Sequence, residues 1–302
     1  MSPEISGIIP AAFLPVTEKQ NIHEDGLATH LTELAGVEGV DGLLVNGHAG
    51  ERYALTASER ERVVDIATNV VSEVPVYAGV EGATTGDVIK DVRRAENAGA
   101  DAVMVDAPST PITGRREAAL EFYKDVADSA TTPVVAFQTA ARTGRNFDAE
   151  VLGEIASIEN VTAIKEGVWN VDHTQEDIQA LRESDSDVTY LMGNDEHLLP
   201  CYALGVDGTV VELGAAFPEL IVRLYEAVQE GKLETARSVV DRLQPVLEAT
   251  YQQPKHDGSL RLKVALEMQG RLPTSTPLRP AVPIPESEVA DIRDALTQAD
   301  LL

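Results

Sequence analysis

Cysteine is nearly absent from this chain: Cys201 stands alone, so no internal disulfide can form and no CxxC-type zinc cluster is available. Its expected place is the core, as a small hydrophobe. Basic residues are scarce as well, 24 Lys and Arg against 50 Asp and Glu, for a formal net charge of −26 and a pI of about 4.5. That sign repels both anionic lipid and the phosphates of nucleic acid, so no membrane and no nucleic-acid partner is expected. Lysine is the rarer cation, seven against seventeen arginines, and the acids are spread over every helical segment instead of forming a tail. Such a distribution points to a halophilic protein, whose self-repulsion is screened by a salt-rich interior. Long apolar runs are also missing. No uncharged stretch approaches the roughly 20 residues that span a bilayer, and residues 1–13 lack the basic start and apolar run of a signal peptide. A cytoplasmic location is the expectation.

What is present is ample core material. Hydrophobic residues make up 43% of 302, enough for a large packed interior. Apolar, β-branched runs recur at 8–13, 41–45, 75–80, 102–105, 133–137, 161–165, 188–192 and 208–211, their starts 20 to 34 residues apart. Each interval holds one helix and two loops, which gives eight β-α units. Between the second and third runs, Val63, Ile66, Ala67, Val70, Val71 and Val74 follow helical spacing, with Glu59, Arg60, Glu61, Arg62 and Asp65 on the opposite face. Strands that are almost wholly apolar are buried on both faces, and eight of them with right-handed crossovers close most simply into a parallel (β/α)8 TIM barrel, an α/β fold. No GxGxxG follows the first run and no GxxxxGK[ST] occurs, which argues against an open nucleotide-binding sheet. Beyond residue 224 the strands stop. Helical patterns at 233–250, with Pro245 inside it, 259–270 and 286–299 form a C-terminal helical extension, joined through a Pro-rich stretch at 273–285. The expected division is a catalytic barrel at 1–224 and a helical domain at 225–302.

A parallel barrel keeps its chemistry at the carboxyl ends of its strands. The polar residues there are Asn46, His48, Asp106, Gln138, Thr139, Lys165, Glu166, Asn194, Asp195, Glu196 and Glu212. Lys165 is distinctive, because it is the one lysine that closes an apolar strand. Desolvation there lowers an ammonium pKa and leaves free amine, the nucleophile that attacks a ketone. The other reading is a structural ion pair with Glu166 or Asp195. Directly after the second strand, Asn46-Gly47-His48-Ala49-Gly50-Glu51 forms a glycine-bearing turn whose amides can approach a small anion. A metal-dependent alternative would gather Asp106, Glu166 and Glu212 around Mg2+.

The ordered set Gly47-His48-Ala49-Gly50-Glu51, Ala141-Arg142-Thr143-Gly144, Ala163-Ile164-Lys165-Glu166 and Met192-Gly193-Asn194-Asp195-Glu196, with the helical Arg242-Leu243-Gln244-Pro245, resembles the dihydrodipicolinate synthase and N-acetylneuraminate lyase family. The family's counterparts are GTTGE, xRTG, xIKE and xGxDE. The resemblance runs nearly end to end and implies a barrel with C-terminal helices, assembled as a homotetramer, that works through a lysine Schiff base without cofactor or metal. It assigns Lys165 as the Schiff-base residue. Two departures stand out. Phe137 replaces the tyrosine that relays protons in the family's YNxPxRTG, and the two threonines of GTTGE are His48 and Ala49. The second relay tyrosine is missing near Ala107-Pro108-Ser109-Thr110 as well, so the synthase reaction of lysine biosynthesis is not expected.

Retro-aldol cleavage needs a base at the C4 hydroxyl, the missing tyrosine's task, whereas dehydration needs an acid there. The expected activity is therefore that of a lyase that removes water from a small 2-oxo acid, and the resemblance, which extends to sugar-acid dehydratases of the family that also lack the tyrosine, implies a 2-keto-3-deoxypentonate (xylonate or arabinonate) dehydratase. A 2-keto-3-deoxy sugar-acid aldolase and a non-catalytic sugar-acid-binding homologue are the alternatives. His48 and then Glu212 are the candidates for proton transfer. Gly47, Ala49, Phe137, Thr139, Arg142, Asp195 and Glu196 are the candidates for binding substrate, and Trp169 and Asn170 for the pocket wall.

Overall fold

The computed structural model describes residues 5–108, 115–139, 147–184 and 186–302. The candidate Arg142, with its neighbours Ala141, Thr143 and Gly144, lies outside them, as do Ser109 and Thr110. Eight strands, β1 (Gly7–Pro10), β2 (Leu43–Val45), β3 (Val76–Val80), β4 (Ala102–Asp106), β5 (Val134–Thr139), β6 (Val161–Gly167), β7 (Thr189–Met192) and β8 (Gly208–Val211), are all parallel. Each pairs with its neighbour in sequence from β2 to β8, and β8 pairs with β1. Parallel bridges Ile8–Val40 and Ala11–Leu44 bring β1 against the β2 segment and complete the ring. This is the expected (β/α)8 barrel.

The strands are buried on both faces because their side chains are apolar on both, one set filling the barrel and the other facing helices. Those helices are α1 (Glu24–Ala35), α2 (Ala57–Val70), α3 (Thr85–Asn97), α4 (Arg116–Ser129), α5 (Ala149–Ala156), α6 (Val171–Glu183), α7 (Leu198–Leu204) and α8 (Glu212–Ala216). Local chemistry fixes several of their starts. Thr56 and Glu59 form a reciprocal capping box on α2, while Thr84, Asp148 and Asn170 accept amide hydrogen bonds at the heads of α3, α5 and α6. The chain then continues in helices α9 (Pro218–Gln229), α10 (Leu233–Thr250, containing Pro245), α11 (Gly258–Met268) and α12 (Glu286–Gln298). Helix α9 runs through the expected boundary at 224/225.

Several strand ends differ from the sequence expectation by one or more residues, and two of them bear on the site. The first run leaves its ladder after Pro10, because the Ala11 amide bonds to Val211 and the Ala12 amide to Leu44, so these residues bridge β8 and β2. At the sixth, pairing continues beyond Lys165, with Glu166 opposite Gln138 and Gly167 opposite Thr139. This extension carries Lys165 inside the barrel rim instead of leaving it on the edge.

Candidate active site

Alternation along β5 and β6 sorts the polar residues. Phe137, Thr139, Lys165 and Gly167 face a cavity of about 280 Å3 at the carboxyl end of the barrel, while Gln138 and Glu166, one residue out of phase, face the helices. The volume is near the lower bound of ordinary small-ligand pockets, which begin at roughly 300 Å3. A small substrate fits it best.

Lys165 is 9% exposed, and its Nζ lies 4.2 Å from the centre of the Phe137 ring. No carboxylate comes within ion-pair distance of that nitrogen among the described residues, so the ion-pair reading does not hold. Burial lowers its pKa from 10.5 to about 8; Asp195, Glu212 and Glu166 pull it back up, and the Arg52 charge pushes it further down. Gly193 makes the seat possible, for a Cβ there would lie 2.7 Å from Lys165 Cε and 2.3 Å from the Glu166 carbonyl oxygen.

Two acids face the same cavity. Asp195, just beyond β7, is 5% exposed and accepts the Leu213 amide at 2.7 Å. Burial raises its pKa, while that hydrogen bond and Lys165 oppose the rise. Glu212, expected as a strand-end acid, opens α8 directly after β8 and is half-buried. Its pKa is raised by burial and then by the Asp195 charge, against the Ser259 hydroxyl and Lys165. That hydroxyl lies 2.7 and 2.8 Å from the two Glu212 oxygens.

His48 lines the opposite wall with Ala49. Its half-exposed ring is tilted against Phe137 at 5.7 Å between centroids, and its Nε2 is 3.4 Å from Asp106 Oδ2 and 3.5 Å from an Arg52 nitrogen. Arg52 and Asp106 form a buried ion pair behind it. Gly79 leaves room for that guanidinium, since a Cβ there would sit 2.7 Å from Arg52 and 2.1 Å from the Asn46 carbonyl. Gly47 shapes the turn, although it is not among the residues that line the cavity.

Not every expected residue converges. Glu196 pairs with Lys255 and is absent from the cavity wall, a departure from its expected place beside Asp195. Glu166 turns behind the barrel, where its Oε1 accepts the Val168 and Trp169 amides and burial lifts its pKa to about 7. Asp106 is held by Arg52, so the trio Asp106, Glu166 and Glu212 does not gather around one point as the Mg2+ alternative required. Trp169 does form part of the wall, but Asn170 caps α6 instead.

Sequence reasoning missed Arg52, which follows the strand-two turn directly and could have been flagged there. It also missed His256, which lines the cavity from the segment before α11, together with Tyr251 and Ser259. Tyr251 stacks edge-on against Trp169 at 6.0 Å and stands beside Asp195. No local pattern in the sequence marks these three.

Comparison with known proteins gives the same picture. The chain is 30% identical over 293 residues to a 4-hydroxy-tetrahydrodipicolinate synthase of Methanothrix thermoacetophila, covering 97% of this chain and 96% of that one. It is 32% identical over 279 residues to an uncharacterised DapA-like lyase of Halobacterium salinarum, covering 91% and 88%. Among solved structures, YagE, a prophage protein of E. coli K12 in complex with pyruvate, matches with a TM-score of 0.90 and 28% identity over 99% of this chain and 100% of that one. Among the described residues no helix is long and apolar enough to cross a membrane. A model of the dihydrodipicolinate synthetase family matches residues 4–299, and with a sheltered lysine at the carboxyl end of β6, this chain belongs to that family of Schiff-base lyases.

Proposed function

We propose that the protein dehydrates a 2-oxo-3-deoxy sugar acid, a 2-keto-3-deoxypentonate of the xylonate or arabinonate series, through a Schiff base on Lys165. The observation that carries this reading is the Lys165 amine, sheltered, without a carboxylate in ion-pair contact among the described residues, and facing a small cavity whose neighbouring ring, Phe137, has no hydroxyl. The pyruvate bound by the structural neighbour YagE is itself a 2-oxo acid.

The free amine adds to the C2 ketone, and the carbinolamine loses water to give an iminium. The iminium acidifies the C3 proton, which His48 removes to leave an enamine. Electrons return from the enamine, the C4–O bond breaks, and Glu212 supplies the proton with which the hydroxyl leaves as water. Tautomerisation puts the aldehyde at C5, and hydrolysis of the iminium frees Lys165 and releases 2-oxoglutarate semialdehyde, one water short of the substrate. Asp195 receives a substrate hydroxyl, and the turn at Gly47 to Gly50, with Thr139, faces the carboxylate. Arg142 is assigned to the distal end. The family resemblance also supports a homotetramer, tested by light scattering against the 32.4 kDa chain mass.

The name carried by the curated relatives favours one other reading, the synthase reaction. The missing tyrosine at 137 weighs against it. The deciding experiment incubates the protein with 2-keto-3-deoxypentonates and follows the products, alongside cyanoborohydride trapping and peptide mapping. Semialdehyde formation and an adduct on Lys165 support the proposal. Pyruvate plus glycolaldehyde would make the protein an aldolase, and binding without turnover a sensor. An adduct at another lysine would remove the mechanism altogether.

A further inference from the structure

We infer that Ser259, on the first turn of α11, is a positioning residue for Glu212, so that the C-terminal helices take part in proton transfer inside the barrel. This rests on the role given to Glu212 above. The Ser259 Oγ is almost equidistant from the two carboxylate oxygens, at 2.7 and 2.8 Å, and among the described residues it is the one side chain hydrogen-bonded to them. A carboxylate held at both oxygens by one hydroxyl cannot change rotamer without breaking both contacts. The hydroxyl has one proton to give, which it donates to the ionised carboxylate, and lone pairs to receive the acid's proton when Glu212 carries it.

The helix that presents this hydroxyl is itself fixed. Ser259 and Lys263 are four residues apart and share one face of α11. Lys263 is fully buried, donates to Glu51 at 2.5 Å and to the Thr276 carbonyl at 2.9 Å, while the other Glu51 oxygen accepts the Leu278 amide at 2.7 Å. Glu51 ends the strand-two turn. One face of α11 therefore touches the carboxylate-binding turn with Lys263 and the proposed acid with Ser259, and one turn earlier His256 lines the cavity. Leu262, Ala265 and Leu266, all fully buried, anchor the helix.

The ionisable groups that face Glu212 are Lys165 from β6, Asp195 after β7, Tyr53 after β2, and Tyr251 and His256 ahead of α11. The Ser259 hydroxyl does not titrate, so it can be removed without changing the charge of the site. Loss of its donor disfavours the carboxylate and leaves the acid form populated to higher pH.

The test compares the kcat pH profile on 2-keto-3-deoxypentonate for the wild type, Ser259→Ala, Ser259→Thr and Glu212→Gln. The basic limb, where the acid loses its proton, is expected to move upward by roughly one pH unit in Ser259→Ala, with kcat falling more than KM rises. Ser259→Thr, which keeps the hydroxyl, is expected to restore both. An unmoved limb in Ser259→Ala, when Glu212→Gln has abolished that limb, overturns the inference and leaves the proposed reaction standing. A limb that survives in Glu212→Gln overturns the role of both residues. Isotope-edited infrared titration of the Glu212 carboxyl, taken as the difference from Glu212→Gln, reads the same shift without turnover. The inference therefore fails or stands even if the substrate is another 2-oxo acid.

Discussion

Replacing Lys165 by methionine is expected to destroy catalysis and to stabilise the fold. Burial takes the lysine pKa from 10.5 to about 8, so at neutral pH the folded protein carries an ammonium it holds poorly. A shift of that size corresponds to about 3 kcal/mol at 1.36 kcal/mol per pH unit. At 9% exposure there is little solvent screening to discount it. Between the two pKa values the unfolded chain binds the proton and the folded chain does not, so stability rises with pH across that window, and the full penalty is present below it. Methionine is unbranched, neutral and of similar reach, which makes it the appropriate replacement. Urea unfolding at pH 7 is therefore expected to show the variant more stable by about 3 kcal/mol, falling to about half near pH 9.3 and to almost nothing above 10.5, with an unchanged denaturant slope. Pyruvate with cyanoborohydride should leave the variant unlabelled. A variant no more stable than wild type at pH 7, or one whose advantage persists undiminished at pH 10, would refute the idea that the site stores an unpaired buried amine.

Three further outcomes are expected. Gly193→Ala places a Cβ 2.3 Å from a backbone oxygen of β6 and 2.7 Å from Lys165; it should cost roughly 1–3 kcal/mol and slow adduct formation at least tenfold, and a variant that traps pyruvate at the wild-type rate contradicts the packing argument. Phe137→Tyr returns a hydroxyl to the wall beside Lys165 and should raise the share of pyruvate plus aldehyde among the products, read by chromatography; an unaltered ratio shows that the relay is not what selects the reaction. With a net charge of −26, raising KCl from 0.1 to 1 M shortens the screening length from about 10 to about 3 Å and should raise the melting temperature; a fall would remove the high-salt reading of the composition.

The barrel was legible because its strands are apolar on both faces and its helices on one, so the two periods alternate along the chain without interference. Lys165 was legible for the complementary reason, a charge where the pattern demands a hydrophobe. The same period-two rule places Glu166 opposite to Lys165, behind the strand, a consequence that a simple inventory of strand-end polar residues overlooks. Asp195 and Glu196 differ by one residue and diverge, because the loop after β7 turns at once into a helical turn in which Asp195 bonds to Leu213 and Glu196 reaches Lys255. Ser259 lies 47 residues beyond Glu212, and no local repeat encodes a meeting of that kind. What marks it is the docking of α11 through Lys263 and Glu51, a buried pair 212 residues apart.

The choice between breaking C–C and breaking C–O comes down to the direction of one proton. Retro-aldol cleavage takes a proton from the C4 oxygen, and dehydration gives one to it. A low-pKa carboxylate or a phenolate relay suits the first. Glu212, pushed upward by burial and by the neighbouring Asp195 charge, holds its proton to higher pH than an ordinary carboxyl and suits the second. Phe137 reinforces the bias: at 4.2 Å from the amine it supplies an apolar face where a relay would need an oxygen. His48, the remaining base at the cavity, is held beside Asp106 and Arg52, and the proposed dehydration requires the substrate to lie between it and Glu212, with C3 toward the imidazole and C4 toward the carboxyl. A 2-oxo-acid adduct crystallised on Lys165 with the C4 hydroxyl on the His48 side would reverse the proton flow and, with it, the bond that breaks.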